Sequence, residues 1–513
     1  MRYLPPKGQP EEPLTDAQIL TQSLAYDLQT NHTYLEQLLQ GCSDAVMRKF
    51  KFGKDRDTDA LLVYFDGLVS KTEAEASILY PLMLEMDQIE DAVETQAGNI
   101  YENTRDRLLA VTDLLECDTF EEVMQHIASG DGVLIIDGYN QGLVAGIRYW
   151  QGRPVESPDQ EVIVKGPNEG FNETLRINTA LLRRRLKTNC FKIESISIGR
   201  YTKTNTIICY IKGVADESLI QEVKNRLEKI DIDGVLDTNY LEELMEDHHY
   251  SVFPQAEHTE RPDRVVAHLL EGRVALMVDG SPWAMVVPAT LPQFWISPED
   301  YYSRYVPASL IRLLRQLAFL ITLLLPSLYV ATITYHQEMI PTPLLLTIAA
   351  SREGVPFPAL VEALMMEITF EFLREAGIRM PRAIGPAISI VGALVIGDAA
   401  VSAGLVSTPM VVVVAFTGIA SFIFPAYNAG MAIRIARFPM LILAGFLGYF
   451  GIMIGLIMLL VRLASMTSFG VPYLSPLAPT NQGDLSDTLV RRPWWAMRQR
   501  PQNISPDNRV RQE

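Results

Sequence analysis

Glu367, Glu371 and Glu375 stand at i, i+4 and i+8, which puts three carboxylates on one face of a helix. In a ring of subunits such a face stacks acidic rings, and acidic rings select cations. The other reading is a solvated face with local ion pairs, Glu371 with Arg374 and Glu375 with Arg379. Further on, Asp398 interrupts an apolar run. A carboxylate at membrane depth is costly and marks a functional position by default; the bland reading places it near the interface or beside an arginine. Gly385, Ser389, Ala393 and Gly397 recur at every fourth position ahead of it. Such a stripe permits close helix packing, the preferred reading, and equally could line a narrow path through a ring. These groups move or hold ions; none makes or breaks a bond. The chain carries no nucleophile elbow, zinc-peptidase helix or Walker loop, and His248-His249 has no further ligand cluster in reach. The sequence therefore predicts no enzyme, no catalytic residue, no cofactor and no metal site.

The elements that would hold these residues divide the chain. Its 513 residues are 48% hydrophobic and 20% charged, with mean hydropathy +0.11, averaging a polar front and an apolar back. The net charge of −17 disfavours nonspecific nucleic-acid binding. Cys42, Cys117, Cys190 and Cys209 are scattered, which predicts reduced thiols. Met1–Thr15 has no basic segment followed by an apolar one, so no cleavable signal is expected. About 300 residues precede the first long apolar stretch, and an internal start-transfer helix leaves such a segment in the cytoplasm.

The front part reads as α+β. Apolar positions from Asp16 to Leu39 recur at helical spacing. Short apolar strands then end in Asp66-Gly67, Asp137-Gly138 and Asp279-Gly280, and the last two predict hairpins. Lys192–Ile198 with Thr206–Ile211 predicts another hairpin, Leu219–Ile230 an amphipathic helix and Ile232–Leu236 a strand. Only the strand–turn pattern recurs, so no sequence repeat is assigned. The expected organisation is an arm and helix over 1–39, one subdomain over 40–165, a connecting helix within 166–190 and a second subdomain over 191–295. A membrane domain follows over 296–480 and a basic tail over 481–513. The fold class is thus a soluble α+β part of two subdomains, then an all-α polytopic membrane domain.

Four stretches are long and apolar enough to span a bilayer, which takes about 20 residues: Leu313–Tyr335, Ile384–Val406, Met410–Ile433 and Phe438–Val461. Pro343–Gly377 is apolar on one face and acidic on the other, which predicts an interfacial or re-entrant helix over 356–377. Arg304, Arg312 and Arg315 before the first span, with Arg462, Arg491 and Arg492 after the last, favour both ends being cytoplasmic. Arg379, Arg382, Arg434 and Arg437 would then face outward. The tail Arg491–Arg500, with Trp494 and Trp495, reads as an interface anchor or as a segment that orders on assembly.

Several motifs occur together in order. Lys165-Gly166-Pro167-Asn168-Glu169-Gly170-Phe171 is followed by Asn178 and by Arg183-Arg184-Arg185. Glu362-Ala363-Leu364-Met365-Met366-Glu367 leads to Leu373-Arg374-Glu375-Ala376-Gly377 and then to Gly397-Asp398. Ser468-Phe469-Gly470-Val471-Pro472-Tyr473 precedes Arg492-Pro493-Trp494-Trp495. Over nearly the whole chain this series resembles the A subunit of GerA-type spore germinant receptors, with Asp398 where many relatives carry Glu. The resemblance implies a subunit of the spore inner membrane, its soluble part on the cytoplasmic or core side. It implies assembly with itself as a ring, with a transporter-like B subunit and with a lipoprotein C subunit, amid membrane lipids. It further implies a ligand-gated release of ions that starts germination. Glu367, Glu371, Glu375, Ser389, Ala393, Gly397 and Asp398 are then candidate pore or gating residues. Glu169, Gly170, Phe171, Arg183, Arg184 and Arg185 are candidate assembly residues. A non-conducting scaffold subunit, or an ion-release protein like stage V sporulation protein AF, is the alternative within the same resemblance.

Overall fold

The structure is a computed structural model that describes residues 14–53, 58–85, 100–149, 158, 161, 163–379, 397–480, 482–485, 487–505 and 508–512. The chain forms two compact units. One comprises Met1–Val162, Asn168–Leu241 and Thr259–Met285; the other comprises Ile163–Pro167, Glu242–His258 and Val286–Glu513.

Two five-stranded sheets are formed, mostly by residues of the first unit. Strands β1 (Ala45–Phe52), β2 (Thr58–Phe65), β3 (Leu114–Cys117), β4 (Gly132–Ile136) and β5 (Gly142–Ala145) lie in the order β1-β2-β4-β5-β3, all neighbours antiparallel. Strands β6 (Phe191–Ile198), β7 (Thr204–Ile211), β8 (Glu257–Thr259), β9 (Val274–Val278) and β10 (Ala284–Val287) lie in the order β6-β7-β9-β10-β8. The two orders are one topology used twice. The helices repeat with it: α1 (Leu28–Leu38) enters the first sheet and α2 (Phe120–Ser129) precedes β4. Correspondingly α3 (Leu175–Arg185) enters the second, α4 (Glu217–Glu228) follows β7, and α5 (Pro262–Leu270) precedes β9. The central strands β4 and β9 are buried along their whole length, which is why they read as apolar runs rather than alternation.

Polar joints repeat as well. Asn31 donates to the Ala25 carbonyl at 2.7 Å and accepts from the Ala25 N–H at 2.8 Å. Asn178 does the same to Asn172 at 2.6 and 2.9 Å. The Leu28 N–H donates to Asp137 at 2.9 Å, and the Leu175 N–H donates to Asp279 at 3.1 Å. Each aspartate thus ends a hairpin strand and also caps the entry helix of its own half. The following glycines, Gly138 and Gly280, sit at φ of 86° and 92° and donate back to the segments before those helices.

Two local expectations differ. The stretch Asp16–Leu39 holds two helices, Asp16–Leu20 and α1, because Asp27 accepts from the Thr30 N–H at 2.9 Å and starts a new helix. The residues Ile232–Leu236 form no strand. Their carbonyls are used in a loop instead: Ile232 and Asp233 accept from the N–H groups of Arg200 and Tyr201, both at 2.9 Å.

The second unit is mainly helical: α6 (Tyr305–Tyr335), α7 (Thr342–Arg352), α8 (Ala359–Arg379), α9 (Thr408–Ser421) and α10 (Tyr427–Ser465). Among the described residues, α6 and α10 are long and apolar enough to cross a membrane. The expected span Ile384–Val406 lies mostly outside the described residues. The expected span Met410–Ile433 is interrupted, since α9 stops at Ser421 and the next helix begins at Tyr427.

The expected single span Phe438–Val461 is corrected by one residue. Gly448 has φ 61° and ψ −142°, outside the helical region, and the chain reverses there. A Cβ on Gly455 would lie 2.6 Å from the Met440 sulfur, and one on Gly451 would lie 2.1 Å from the Leu443 carbonyl oxygen. In a straight helix Met440 and Gly455 would stand ~22 Å apart. The helix α10 is therefore a hairpin of two antiparallel arms, Tyr427–Leu447 and Tyr449–Ser465. Its tip meets the end of α6, where the Tyr335 hydroxyl donates to the carbonyls of Gly445 and Phe446 at 3.0 and 2.9 Å. The glycines that close the arms carry no side chain because none fits.

Candidate ion path and its supporting charge network

Helix α8 runs lengthwise beside α9 and the first arm of α10. At one end the Glu362 carboxylate accepts from the N–H and hydroxyl of Ser407, the N-cap of α9. A carboxylate there meets unpaired N–H groups and the positive end of the helix dipole. The Arg352 guanidinium at the end of α7 stands 3.5 Å from the other Glu362 oxygen. Midway, the Phe370 ring lies so near Gly418 of α9 that a Cβ would come within 2.3 Å. At the far end Arg374 donates to the Ser421 hydroxyl at 3.1 Å, and its guanidinium lies 4.2 Å from the centre of the Phe422 ring.

Glu367 is wholly buried on this helix, and Arg437 of α10 approaches it to 2.7 Å. Arg437 also reaches Glu371 at 3.2 Å, while Arg434 stands 3.3 Å from Glu371. Of the two expected local pairs, Glu375–Arg379 forms at 2.6 Å. Glu371 instead faces α10, and Arg374 turns to α9. Arg434 and Arg437, expected on the non-cytoplasmic side of the membrane, are buried on these glutamates. A free arginine at that depth is far costlier than a paired one, and α8 supplies the pairs. Glu375 remains exposed, as does Asp398 in the helical stretch 397–402, where Gly397 is buried near Val411. Ser389 and Ala393 lie outside the described residues.

A second charge cluster holds the start of α6. Asp300 is almost wholly buried and accepts from Arg312 at 3.0 Å and Arg315 at 2.8 Å. Arg312 also donates to the Asp487 carbonyl, and Tyr301 donates to the Asp487 carboxylate at 2.8 Å. Trp494 donates to the Tyr301 carbonyl at 3.3 Å. The tail is thus fastened to the foot of α6 within this unit, and Arg312 and Arg315 are neutralised rather than facing lipid headgroups. Trp495 stays exposed.

The candidate assembly residues sit in the first unit. Glu169 pairs with Arg184 at 3.2 Å and with Arg185 at 2.6 Å, all three part-exposed. Gly170 and Phe171 are buried, and the Phe171 N–H donates to the Glu260 carbonyl at 2.7 Å. Arg183 is buried and forks onto Asp44. Sequence reasoning missed Asp44, Asp300 and the role of Glu362. For Arg434 and Arg437 a signal existed: two arginines three apart in an apolar helix need acids, and Glu367 and Glu371, four apart, likewise share one helix face.

Among the described residues, α6 and the apolar stretch Tyr427–Ser465 have the length and composition of membrane-crossing segments, and they follow a duplicated α+β part. The description of the Bacillus/Clostridium GerA spore germination protein family matches residues 33–503, and the chain belongs to that family. It is 43% identical to spore germination protein KA of Bacillus subtilis (strain 168) over 470 residues, 92% of this chain and 85% of that protein. It is 44% identical over 483 residues to the membrane protein YfkQ of the same organism, covering 94% of this chain and 92% of YfkQ. The crystal structure of the N-terminal domain of the A subunit of the Bacillus megaterium spore germinant receptor GerK3 is 31% identical. It aligns with a TM-score of 0.42 over 53% of this chain and 98% of that one.

Proposed function

We propose that this chain is the A-type subunit of a nutrient germinant receptor in the spore inner membrane. Copies of it form a ring around a ligand-gated path for cations, together with a transporter-like B subunit and a lipoprotein C subunit. The observation that carries this reading is the family match along nearly the whole chain, membrane helices included. The buried pairs refine the roles of the acids. Glu375 and Asp398, being exposed, are the carboxylates available to a path. Glu367 and Glu371 hold α8 against α10 through Arg437 and Arg434 and so set where that path runs. The part-exposed Glu169, Arg184 and Arg185 form the patch for subunit contact in the first unit. Nutrient binding elsewhere in the complex acts only through its higher affinity for the open state.

Planar-bilayer conductance of the chain with its B and C partners tests this reading. A nutrient-dependent cation current that falls in Glu375→Gln or Asp398→Asn is the expected result. A well-assembled oligomer that passes no current under any nutrient makes the chain a scaffold and assigns conduction elsewhere.

A further inference from the structure

Among the described residues, the charge on the α8–α10 face does not balance. Three guanidinium groups, Arg374, Arg434 and Arg437, are set against two carboxylates, Glu367 and Glu371. Arg437 takes up both carboxylates and Arg434 shares one of them. Arg374 is left with an alcohol and a ring: its one hydrogen bond among the described residues goes to Ser421, and its face lies on Phe422. A guanidinium has five donors in a planar fork suited to a two-oxygen acceptor such as a carboxylate or phosphate. Most of that fork is unused.

The surroundings of Arg374 are those of the membrane boundary. Phe422 and Tyr427 flank it, 63% and 47% exposed, an apolar ring and a ring with a polar tip. The α10 helix begins at Tyr427 on an Ala426 N-cap that supplies no side-chain acceptor, so N–H groups of its first turn remain open beside the same corner. Two residues from Phe422, the Phe424 ring meets Phe319, which meets Trp295 of the segment before the bundle. Aromatic rings thus gather at that end of the bundle, the arrangement expected where helices leave an apolar zone. An excess arginine at that level is where an anionic headgroup gains most, and each such charge contributes about 1 kcal/mol.

We propose that the corner formed by Arg374, Arg434, Phe422 and the start of α10 binds the phosphate of an anionic phospholipid headgroup. The Arg374 fork takes the phosphate oxygens, the open N–H groups of α10 support them, and the acyl chains lie along exposed Phe422. The inference rests on the membrane placement of α10 and is independent of whether the chain conducts ions.

Native mass spectrometry of the full chain, purified from membranes into mild detergent, tests it with three probes: phosphatidylglycerol, phosphatidylcholine and inorganic phosphate. The expected result is one phosphatidylglycerol retained per chain in preference to phosphatidylcholine. Arg374→Gln should weaken that retention about fivefold while Arg374→Lys keeps most of it. Equal retention of the two lipids by the unaltered chain overturns the proposal without recourse to any variant. So does undiminished retention in a folded Arg374→Gln protein. Displacement of the lipid by inorganic phosphate at millimolar concentration would make this a free-anion site and overturn the lipid assignment. Recovery of the chain in the membrane fraction checks the membrane placement separately.

Discussion

Arg183 forks onto Asp44 through two hydrogen bonds of 2.8 Å, and both residues are 1% exposed. The guanidinium is stacked between the rings of Phe65 and Phe191, 4.1 and 4.9 Å from their centres, and donates a third bond to the Phe191 carbonyl at 2.9 Å. Asp44 precedes the first strand of the first sheet, and Phe191 begins the second. The pair is thus the joint between the two copies of the fold. Removing one partner leaves the other charge buried and alone, which costs about 3–5 kcal/mol. Asp44→Ala should lower the stability of the full chain by that amount in chemical denaturation. Arg183→Lys should rescue little, because an ammonium cannot fork or stack in the same place. A loss below about 1 kcal/mol for Asp44→Ala would mean that the pair is dispensable.

The duplicated joints predict matched effects at distant positions. Asn31 and Asn178 are fully buried, and each satisfies both a donor and an acceptor of the chain six residues earlier. Alanine at either site leaves a backbone N–H and a carbonyl without partners, at about 1–3 kcal/mol for each group stranded. Asn31→Ala and Asn178→Ala should therefore destabilise by similar amounts, and aspartate at either site should be worse than asparagine because it cannot donate. Thermal melts of the two alanine variants that differ several-fold in their effect would separate the two joints.

Much of this fold was legible, for a reason that also marks where reading stopped. Asp137-Gly138 and Asp279-Gly280 end apolar runs, and a turn signal of that kind is local, so both hairpins were visible. The duplication was not, because its two copies share joints rather than core residues. Joints such as Asn31 and Asn178 or Asp137 and Asp279 are single residues far apart, and apolar side chains interchange freely at similar volume. The acidic face of α8 was legible as spacing, but its partners were not. Whether Glu371 meets Arg374 or Arg434 depends on which helix lies alongside, and periodicity within one helix carries no such information. The hairpin in α10 was hidden because both arms are apolar and no polar turn separates them.

Glu246 gives a pH dependence of definite sign. Its burial, then the charges of Glu242 and Glu243, and last that of Asp247 push its carboxyl up to about 7 from the ordinary 4.5, against a hydrogen bond from Gln255 that pulls it down. The folded chain therefore keeps a proton that the unfolded chain releases near 4.5. Stability from this group is fully present below 4.5 and is lost as pH rises through about 7. Glu246→Gln, which retains an oxygen for Gln255, should raise the melting temperature above pH 7 and leave it nearly unchanged below 4.5. The group is partly exposed, so solvent screening keeps the effect modest. A variant that melts lower than the parent above pH 7 would show that the charged carboxylate stabilises the fold.

The reversal at Gly448 makes the most direct geometric prediction. Met440 and Gly455 touch across the arms of α10, where one continuous helix would hold them ~22 Å apart. The native cysteines, Cys42, Cys117, Cys190 and Cys209, all lie in the first unit, so a cysteine pair at 440 and 455 reports on α10 alone. Met440→Cys with Gly455→Cys should form a disulfide in membranes, because the shorter cysteine at 440 frees the space that the methionine sulfur fills. A pair at 440 and 462 on opposite levels of the arms should not. The glycine itself is required twice over. Its φ of 61° strains any side chain, and a Cβ would stand 3.0 Å from the His336 ring and 3.1 Å from the Tyr335 ring. Strain of that kind costs about 1–3 kcal/mol before the clash is counted. Gly448→Val should therefore abolish the 440–455 disulfide and lower the yield of folded protein together, since the tip that seats on the end of α6 can no longer close.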